Sequence, residues 1–152
     1  MEAIKERLRH LKLSGASKSL ESRIDYAQSK KVSYIDFLEL LLEDEWVVRQ
    51  NNAYQRRLTQ SKLNQQKRMD NYDFTMQPEL DKSILMELSS CRFINLKQNV
   101  ILMGKPGVGK THLANALGLE ALKASHSVLF IHANSLIDQL NRSKADGSYY
   151  KI

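Results

Sequence analysis

A glycine-rich loop, with an apolar run before it and an amphipathic segment after it, constrains the fold of this chain most strongly. Residues 104–111 read GKPGVGKT and fit the pattern G-x-x-x-x-G-K-[ST]. The run NVILM at 99–103 has the character of a strand buried on both faces, and KTHLANALGLEALKA at 110–124 repeats apolar residues at helical spacing. A strand, this loop and a helix in that order predict the start of an α/β P-loop domain with a doubly wound sheet.

Each fixed position of the loop has a physical role in holding the phosphates of a nucleotide. Glycines let the backbone adopt conformations closed to other residues, so that successive N–H groups can point at phosphate oxygens. Lys110 is the catalytic candidate because its charge would lie on the β- and γ-phosphates, and Thr111 is the metal-ligand candidate because its hydroxyl would face Mg²⁺. The predicted nucleotide-binding residues are Gly104, Lys105, Pro106, Gly107, Val108, Gly109, Lys110, Thr111 and His112.

His112 lies directly after the loop pattern. It could contact substrate, but a histidine early in a helix is more often a packing or capping residue. Both interpretations stay open at the sequence level. His10, His126 and His132 are scattered, and no pair has metal-ligand spacing. Cys91 is the only cysteine, so the chain has no internal disulfide, and we expect it to be a buried small apolar residue in a cytoplasmic protein.

The rest of the second half repeats the α/β pattern. SVLFI at 127–131 predicts a second buried strand, and NSLIDQLNRSKA at 134–145 predicts a helix capped near Asn134 or Ser135. Before the loop, Pro78 is predicted to open a helix that carries Leu80, Ile84, Leu85 and Leu88.

The first half has helical periodicity throughout. The spacing of Ile4, Leu8 and Leu11 predicts a first helix, with Gly15 where that helix would stop. Leu20, Ile24 and Ala27 repeat the same spacing in a second helix. Ser33, with Asp36 three residues later, predicts the cap of a long third helix that reaches about Leu58, with polar helix continuing to about Arg68. Its predicted apolar face consists of Ile35, Leu38, Leu42 and Trp46.

The segment MDNYDFTMQPEL at 69–80 breaks the helical periodicity with clustered aromatic residues and a proline. We interpret it as a boundary. The predicted domains are a helical N-terminal domain at 1–75 and a partial P-loop domain at 76–152.

The charge balance favours a polyanionic partner such as DNA. The chain has 23 Lys and Arg against 17 Asp and Glu, a formal charge of +6 and a pI near 9.4. If the long helix persists, Arg49, Arg56 and Lys67 lie within about 20° of one another around its axis. The alternative is a solvated face whose arginines pair with Asp44 or Glu45. Trp46 and Tyr54 could stack on bases, but Trp46 is placed on the apolar face, and we expect it to be core.

No targeting or membrane segment is expected from the sequence. The N-terminus mixes charged and apolar residues, unlike a signal peptide, and the apolar runs are far shorter than the roughly 20 residues of a membrane span.

The run NVILMGKPGVGKTHLANALGLEAL closely resembles the IstB-like ATPases, helper proteins of a bacterial insertion-sequence family within the AAA+ superfamily. The blocks LKLSGASKSL, SYIDFLELLLEDE, RRL and YDFTMQPELD resemble the helical leader of that family in order and spacing, so the resemblance covers nearly the whole chain. It implies an ATP-dependent helper that binds DNA, assembles as a homo-oligomer and works with the transposase of the same insertion element. Lys110, Thr111 and the loop glycines match the phosphate and Mg²⁺ ligands of the family.

The same resemblance implies an acidic residue at the end of a later apolar strand, where it orients Mg²⁺ for hydrolysis. SVLFIHAN at 127–134 ends without a carboxylate, Asp138 lies inside a predicted helix, and Asp146 follows no apolar strand. The arginine that would reach a neighbour's γ-phosphate is missing as well. We therefore expect a chain truncated before the acidic strand and unable to hydrolyse ATP efficiently, whether by frameshift, stop codon or a cut gene model. The AAA+ sheet also places the two predicted strands apart, with partner strands absent from this sequence.

Three functions stay open at this point. The first is a truncated transposition helper. The second is a DnaC-type helicase loader, which the leader blocks disfavour. The third is a non-enzymatic DNA-binding remnant made of the helical leader with a vestigial loop.

Overall fold

A computed structural model describes residues 1–77 and 79–147 of the chain, without the side chains of Met76 and Asp146. Seven α-helices are formed in these residues: α1 (Glu2–His10), α2 (Ser14–Lys30), α3 (Tyr34–Ser61), α4 (Lys82–Ser89), α5 (Arg92–Asn95), α6 (Lys110–Lys123) and α7 (Ala133–Asp146). Two short 3₁₀ turns, Met69–Asn71 and Phe74–Met76, lie between α3 and α4. The chain separates into two compact units, Met1–Arg56 and Arg57–Ile152, with the division inside α3. The domain limits predicted at 1–75 and 76–152 stay a prediction, because compact packing units need not coincide with domains.

The first unit is a small helical assembly whose core lies between α2 and α3. Ala16, Leu20 and Leu41 are buried there, and four partly buried residues pack around them: Leu8, Leu13, Ile24 and Phe37. The helical first half predicted from the sequence is therefore confirmed. None of the helices in the described residues is long and apolar enough to cross a membrane.

Gly15 does not end the first helix, contrary to the sequence prediction. It is the second residue of α2, and α1 ends earlier, at His10. A Cβ at Gly15 would lie 2.7 Å from the carbonyl oxygen of Asp44 and 2.8 Å from the Cα of Glu45. The glycine is therefore used for close approach of two helices rather than for a turn.

The start of α3 is capped as the sequence predicts. The Ser33 hydroxyl accepts a hydrogen bond from the Asp36 N–H at 3.1 Å and donates one to the Asp36 carboxylate at 2.7 Å. The end of the helix is less extended than the polar pattern suggested. The helix stops at Ser61, and Lys62 adopts a left-handed conformation with φ of 58°. Lys67 therefore lies outside α3, and the predicted stripe of three basic residues on one helix is wrong for that residue.

The predicted apolar face of α3 is exposed. Ile35, Leu38 and Leu42 are mostly solvent-accessible, and Trp46 has 58% of its surface exposed, so the expectation that Trp46 is core is wrong. In the first unit, the buried residues of this helix are Leu41 and Glu45, which lie roughly 90° around its axis from the predicted face. Helical spacing identified residues that share a face, but the close approach at Gly15 selects a different face for burial.

In the second unit, residues 69–74, Leu80 and α4 pack against α6. The core of this unit contains Tyr72, Leu85 and Leu113, with five partly buried residues around them: Met69, Phe74, Leu80, Leu88 and Leu102. Helix α4 begins at Lys82, where the Asp81 carboxylate accepts a hydrogen bond from the Ser83 N–H at 2.8 Å. The predicted opening at Pro78 lies outside the described residues.

Helix α6 matches its sequence prediction. Leu113, Leu117 and Ala121 are buried on one face, as their spacing predicts. Cys91 is also buried, and its burial, together with the nearby Glu120 carboxylate, raises the pKa of its thiol. Helix α7 is formed as well, but its N-cap is His132 rather than Asn134 or Ser135.

The two predicted strands are not formed in residues 1–77 and 79–147. A strand exists only as part of a hydrogen-bonded ladder, and neither 99–103 nor 127–131 has a ladder partner among the described residues. The Phe130 N–H instead donates to the Ser61 carbonyl at 2.7 Å. Exposed and half-buried residues alternate along 99–103, and the alternation holds along 127–130 before Ile131, which is half-buried as well. The half-buried Val100, Leu102 and Val128 line a cavity of about 370 Å³ against α6. The α/β architecture predicted for this half is thus not observed, and the regular secondary structure of the described residues is helical.

Candidate nucleotide-binding site

The loop at 104–111 has the backbone conformation that its glycines were expected to provide. Gly107 and Gly109 have φ values of 85° and 87°, which other residues rarely adopt. Helix α6 begins directly afterwards, with Gly109 as its N-cap. The sequence order of loop and helix is therefore preserved in the structure, even though the strand before the loop is not formed.

The N–H groups at the start of α6 lack a protein acceptor in the part of the chain that the structure describes. Among the described residues, no acceptor is found for the N–H groups of Gly109, Lys110 and Thr111, and Gly109 has no side-chain cap. Free N–H groups together with the positive end of a helix dipole favour an anion such as phosphate. The donor set of the loop therefore fits the phosphates of a nucleotide.

The ammonium group of Lys110 lies over the loop. Its Nζ donates to the carbonyls of Gly104 at 2.8 Å and Lys105 at 2.7 Å. The positive charge is thus held at the loop, where it can attract phosphate oxygens. Thr111 is exposed at the first turn of α6, so its hydroxyl is accessible to a metal ion that accompanies the phosphates.

The segment 68–74 packs against the end of the loop, and Tyr72 makes its main contacts there. The Tyr72 hydroxyl donates to the Val108 carbonyl at 3.1 Å. A Cβ at Gly109 would lie 2.7 Å from Cε2 of the Tyr72 ring. The ring also packs edge-to-face with Phe74 and His112, at centroid distances of 5.0 and 5.4 Å. We call residues 68–74 the aromatic strap.

His112 is held by this strap. Its Nε2 lies 2.7 Å from the Arg68 carbonyl oxygen, and its ring contacts Tyr72. These contacts account for the residue as a packing group, and its predicted nucleotide contact stays a prediction.

Asn115 fixes the other side of the first turn of α6. Its amide donates to the Thr111 carbonyl at 2.9 Å, and its Oδ1 accepts the Asn64 N–H at 2.9 Å. Since Asn115 is fully buried, its side chain ties the helix start to the chain that follows α3. Sequence reasoning missed both Asn115 and Tyr72. The clustered aromatic residues at 72–74 were the available signal for the strap, whereas a lone asparagine in a helix gives none.

The basic candidates separate between the two units. In the first unit, Lys12, Arg49 and Arg56 line an open cavity of about 530 Å³ with Leu11, Ser14, Glu45, Asn52 and Ala53. Arg49 pairs with Glu45 at 2.7 Å, which is the local ion pair considered as the alternative to a DNA contact. In the second unit, a guanidinium nitrogen of Arg57 lies 3.5 Å from the Leu122 carbonyl at the end of α6. No cluster of three or more metal-ligating side chains occurs in the part of the chain that the structure describes.

The profile of the family described as IstB-like ATP binding protein matches residues 6–152, which is nearly the whole chain. The chain belongs to the IstB-like ATP-binding family. The match covers both the helical leader and the loop at 104–111, so the two units are parts of one family pattern.

Individual relatives agree with this assignment. The chain is 39% identical to a protein of insertion sequence IS21 from Pseudomonas aeruginosa over 96% of its own length, and that relative is named as ATP-binding. It is 37% identical to the corresponding protein of IS5376 from Geobacillus stearothermophilus over 99% of its length. An insertion-sequence ATP-binding protein of Mycobacterium tuberculosis is 34% identical over 97% of this chain. The chain spans only 55%, 60% and 59% of these three relatives, respectively.

Proposed function

We propose that this IstB-like chain binds ATP through residues 104–111 and serves as a helper of DNA transposition. The observation that carries the proposal is the loop itself, with free N–H groups at the start of α6 and the Lys110 ammonium over the loop. Its relatives are named as ATP-binding proteins of insertion sequences, which supports the same function here.

Each residue of the proposed site has a defined task. The backbone of Gly107, Gly109 and Lys110 donates N–H groups to phosphate oxygens, and the Lys110 side chain adds a positive charge. The Thr111 hydroxyl is the protein ligand for Mg²⁺. When bound, the metal ion would neutralise charge on the phosphates, so affinity for ATP should depend on both Lys110 and Mg²⁺.

We further propose that residues 99–103 and 127–131 are strands of a P-loop sheet whose partner strands lie outside the described residues. Two observations support this: their side chains alternate between half-buried and exposed along 99–103 and 127–130, and both segments face a shared cavity over α6. A strand with one face on a helix and two unpaired edges has the pattern of an incomplete α/β layer.

The 152-residue polypeptide should bind ATP without turning it over efficiently. Hydrolysis by P-loop proteins needs an acidic residue that orients Mg²⁺ and a group that activates water. Neither apolar segment ends in such an acid: 99–103 leads directly into the glycine-rich loop, and 127–131 is followed by His132, Ala133 and Asn134. We expect phosphate release at the level of the Lys110→Ala control, measured under saturating Mg·ATP. Turnover that disappears with Lys110→Ala would contradict this expectation.

DNA and the transposase of the same insertion element are the proposed partners, with a homo-oligomer as the proposed assembly. The formal charge of +6 is consistent with DNA binding, and the helper role requires that binding respond to ATP. We would measure binding to duplex DNA with and without Mg·ATP, for the wild type and for Lys110→Ala. ATP-stimulated binding that Lys110→Ala removes is expected.

One observation favours a second candidate, a DNA-binding remnant that does not use ATP. All residues that line the cavity with Lys12, Arg49 and Arg56 belong to the first unit, whereas residues 104–111 belong to the second. This candidate predicts salt-sensitive DNA binding that neither ATP nor Lys110→Ala changes. Because the relatives belong to insertion sequences, a helicase-loading function has less support than either candidate.

A further inference from the structure

We propose that Tyr72 is a positioning residue of the nucleotide site and that it acts by fixing the orientation of the peptide that joins Val108 to Gly109. The inference rests on the proposed binding of nucleotide by residues 104–111. It adds a residue that lies 32 positions before Gly104 in the sequence and outside the glycine-rich motif.

The planar trans peptide between Val108 and Gly109 links the Tyr72 hydroxyl to the direction of the Gly109 N–H. The Val108 carbonyl accepts a hydrogen bond from the Tyr72 hydroxyl at 3.1 Å. In a planar trans peptide, the carbonyl and the following N–H point in opposite directions. Holding the Val108 carbonyl towards Tyr72 therefore holds the Gly109 N–H away from Tyr72, where no protein acceptor is found among the described residues.

The Tyr72 ring also fits closely against the end of the loop. Tyr72 is only 8% exposed, and its ring occupies the space that a Cβ of Gly109 would need. The rings of Phe74 and His112 pack against it edge-to-face, so the tyrosine cannot easily move aside. Leu113, one turn into α6, belongs to the same core cluster as Tyr72. The strap thus holds both the last residues of the loop and the first turn of the helix.

These contacts have a consequence for phosphate binding. Loops rich in glycine can rotate their peptides easily, which would turn an N–H donor away from the phosphate. The Tyr72 hydroxyl opposes this rotation at one peptide, so the donor is oriented before the nucleotide arrives. Preorganised donors bind more tightly because no ordering cost is incurred on binding.

Tyr72→Phe tests the hydroxyl separately from the ring. The variant keeps the aromatic packing and removes the bond to Val108. Loss of one such hydrogen bond corresponds to roughly a 3- to 10-fold weaker affinity for Mg·ATP and Mg·ADP. Affinity would be measured by calorimetric titration of the full chain, well below the melting temperature that circular dichroism gives for each variant. Tyr34→Phe is the matched control, because Tyr34 is 91% exposed and lies on α3.

A merely structural role would give a different result. In that case Tyr72→Phe would lower the melting temperature and leave the affinity of the folded protein unchanged. Phe74→Leu provides a second variant, since it removes an edge-to-face partner of the ring but keeps the hydroxyl; we expect a loss of about 2-fold. Wild-type affinity in folded Tyr72→Phe would overturn the inference, whatever the result for Phe74→Leu.

The controls separate this inference from the proposed function. If the wild type binds no nucleotide, or if Lys110→Ala binds nucleotide as tightly as the wild type does, both the proposed function and this inference are overturned. If binding depends on Lys110 but Tyr72→Phe matches Tyr34→Phe, only the role of Tyr72 is overturned.

Discussion

At the scale of single residues, two neighbouring carboxylates on α3 connect it to α2 in different ways. Glu45 is buried and accepts hydrogen bonds from the N–H groups of Gly15 at 2.7 Å and Ala16 at 3.3 Å. It therefore caps the start of α2 from another helix, where a negative charge is favourable. Asp44 instead forms a two-pronged ion pair with Arg23, at 2.8 and 2.6 Å.

The Asp44–Arg23 pair predicts how stability responds to acid. The hydrogen bonds from Arg23 lower the pKa of Asp44 from 3.8 to about 2. Because the folded-state pKa is lowered, the stabilisation is fully present above pH 4 and is lost as the pH falls towards 2. A contribution of about 1–2 kcal/mol is expected, since the side chain is 22% exposed and solvent weakens the pair.

This pH dependence can be measured by urea unfolding at several pH values between 2 and 6. The wild type should lose more free energy of unfolding over this range than Asp44→Asn does, by about 1–2 kcal/mol. Asp36→Asn is unsuitable as a control because Asp36 belongs to the cap of α3. Asp25 is exposed, so Asp25→Asn should reproduce the wild-type pH dependence. Equal slopes for wild type and Asp44→Asn would show that the pair adds no stability.

At the scale of elements, the helices could be predicted from the sequence, and so could the buried face of α6, but the face that α3 buries could not. Periodicity groups Ile35, Leu38, Leu42 and Trp46 on one face of α3, yet burial follows Leu41 and Glu45. The buried face is decided by Gly15, because the absence of a side chain there lets the backbones of α2 and α3 approach closely. A helical pattern does not reveal such an approach. The strand predictions at 99–103 and 127–131 were not matched for another reason. A strand needs the hydrogen bonds of a partner strand, whereas a helix forms its hydrogen bonds within its own segment.

Adjacent leucines on α3 offer a matched test of which face is buried. Leu41 is 8% exposed and Leu42 is 61% exposed. Leu41→Ala should lower the free energy of unfolding by about 2–4 kcal/mol because it leaves a cavity in the first unit. Leu42→Ala should change it by less than about 0.5 kcal/mol. Chemical denaturation of both variants would show this difference, and a larger loss for Leu42→Ala would mean that the apolar face of α3 is buried in solution.

At the scale of the whole molecule, the sequence predicted the family and the loop because both depend on local order along the chain. GKPGVGKT at 104–111 precedes a helix in the structure as it does in the pattern, and the chain matches the family over residues 6–152, which include the helical leader and the loop. The residues that hold the loop and the start of α6 in place could not be predicted in the same way. Tyr72 and Asn64 reach the loop and the first turn of α6 from positions far earlier in the chain, and only the fold brings them there. The function proposed for the molecule therefore depends on whether this supported loop holds a nucleotide.

The most direct measurement is the equilibrium binding of Mg·ATP to the full 152-residue chain, compared with Lys110→Ala. We predict one nucleotide per chain, with affinity reduced roughly 10- to 100-fold in the variant because a charge-assisted contact to phosphate is lost. Unchanged circular dichroism of the variant would confirm that it is folded. No binding by the folded wild type, or equal binding by both proteins, would contradict the assignment of residues 104–111 as a nucleotide site.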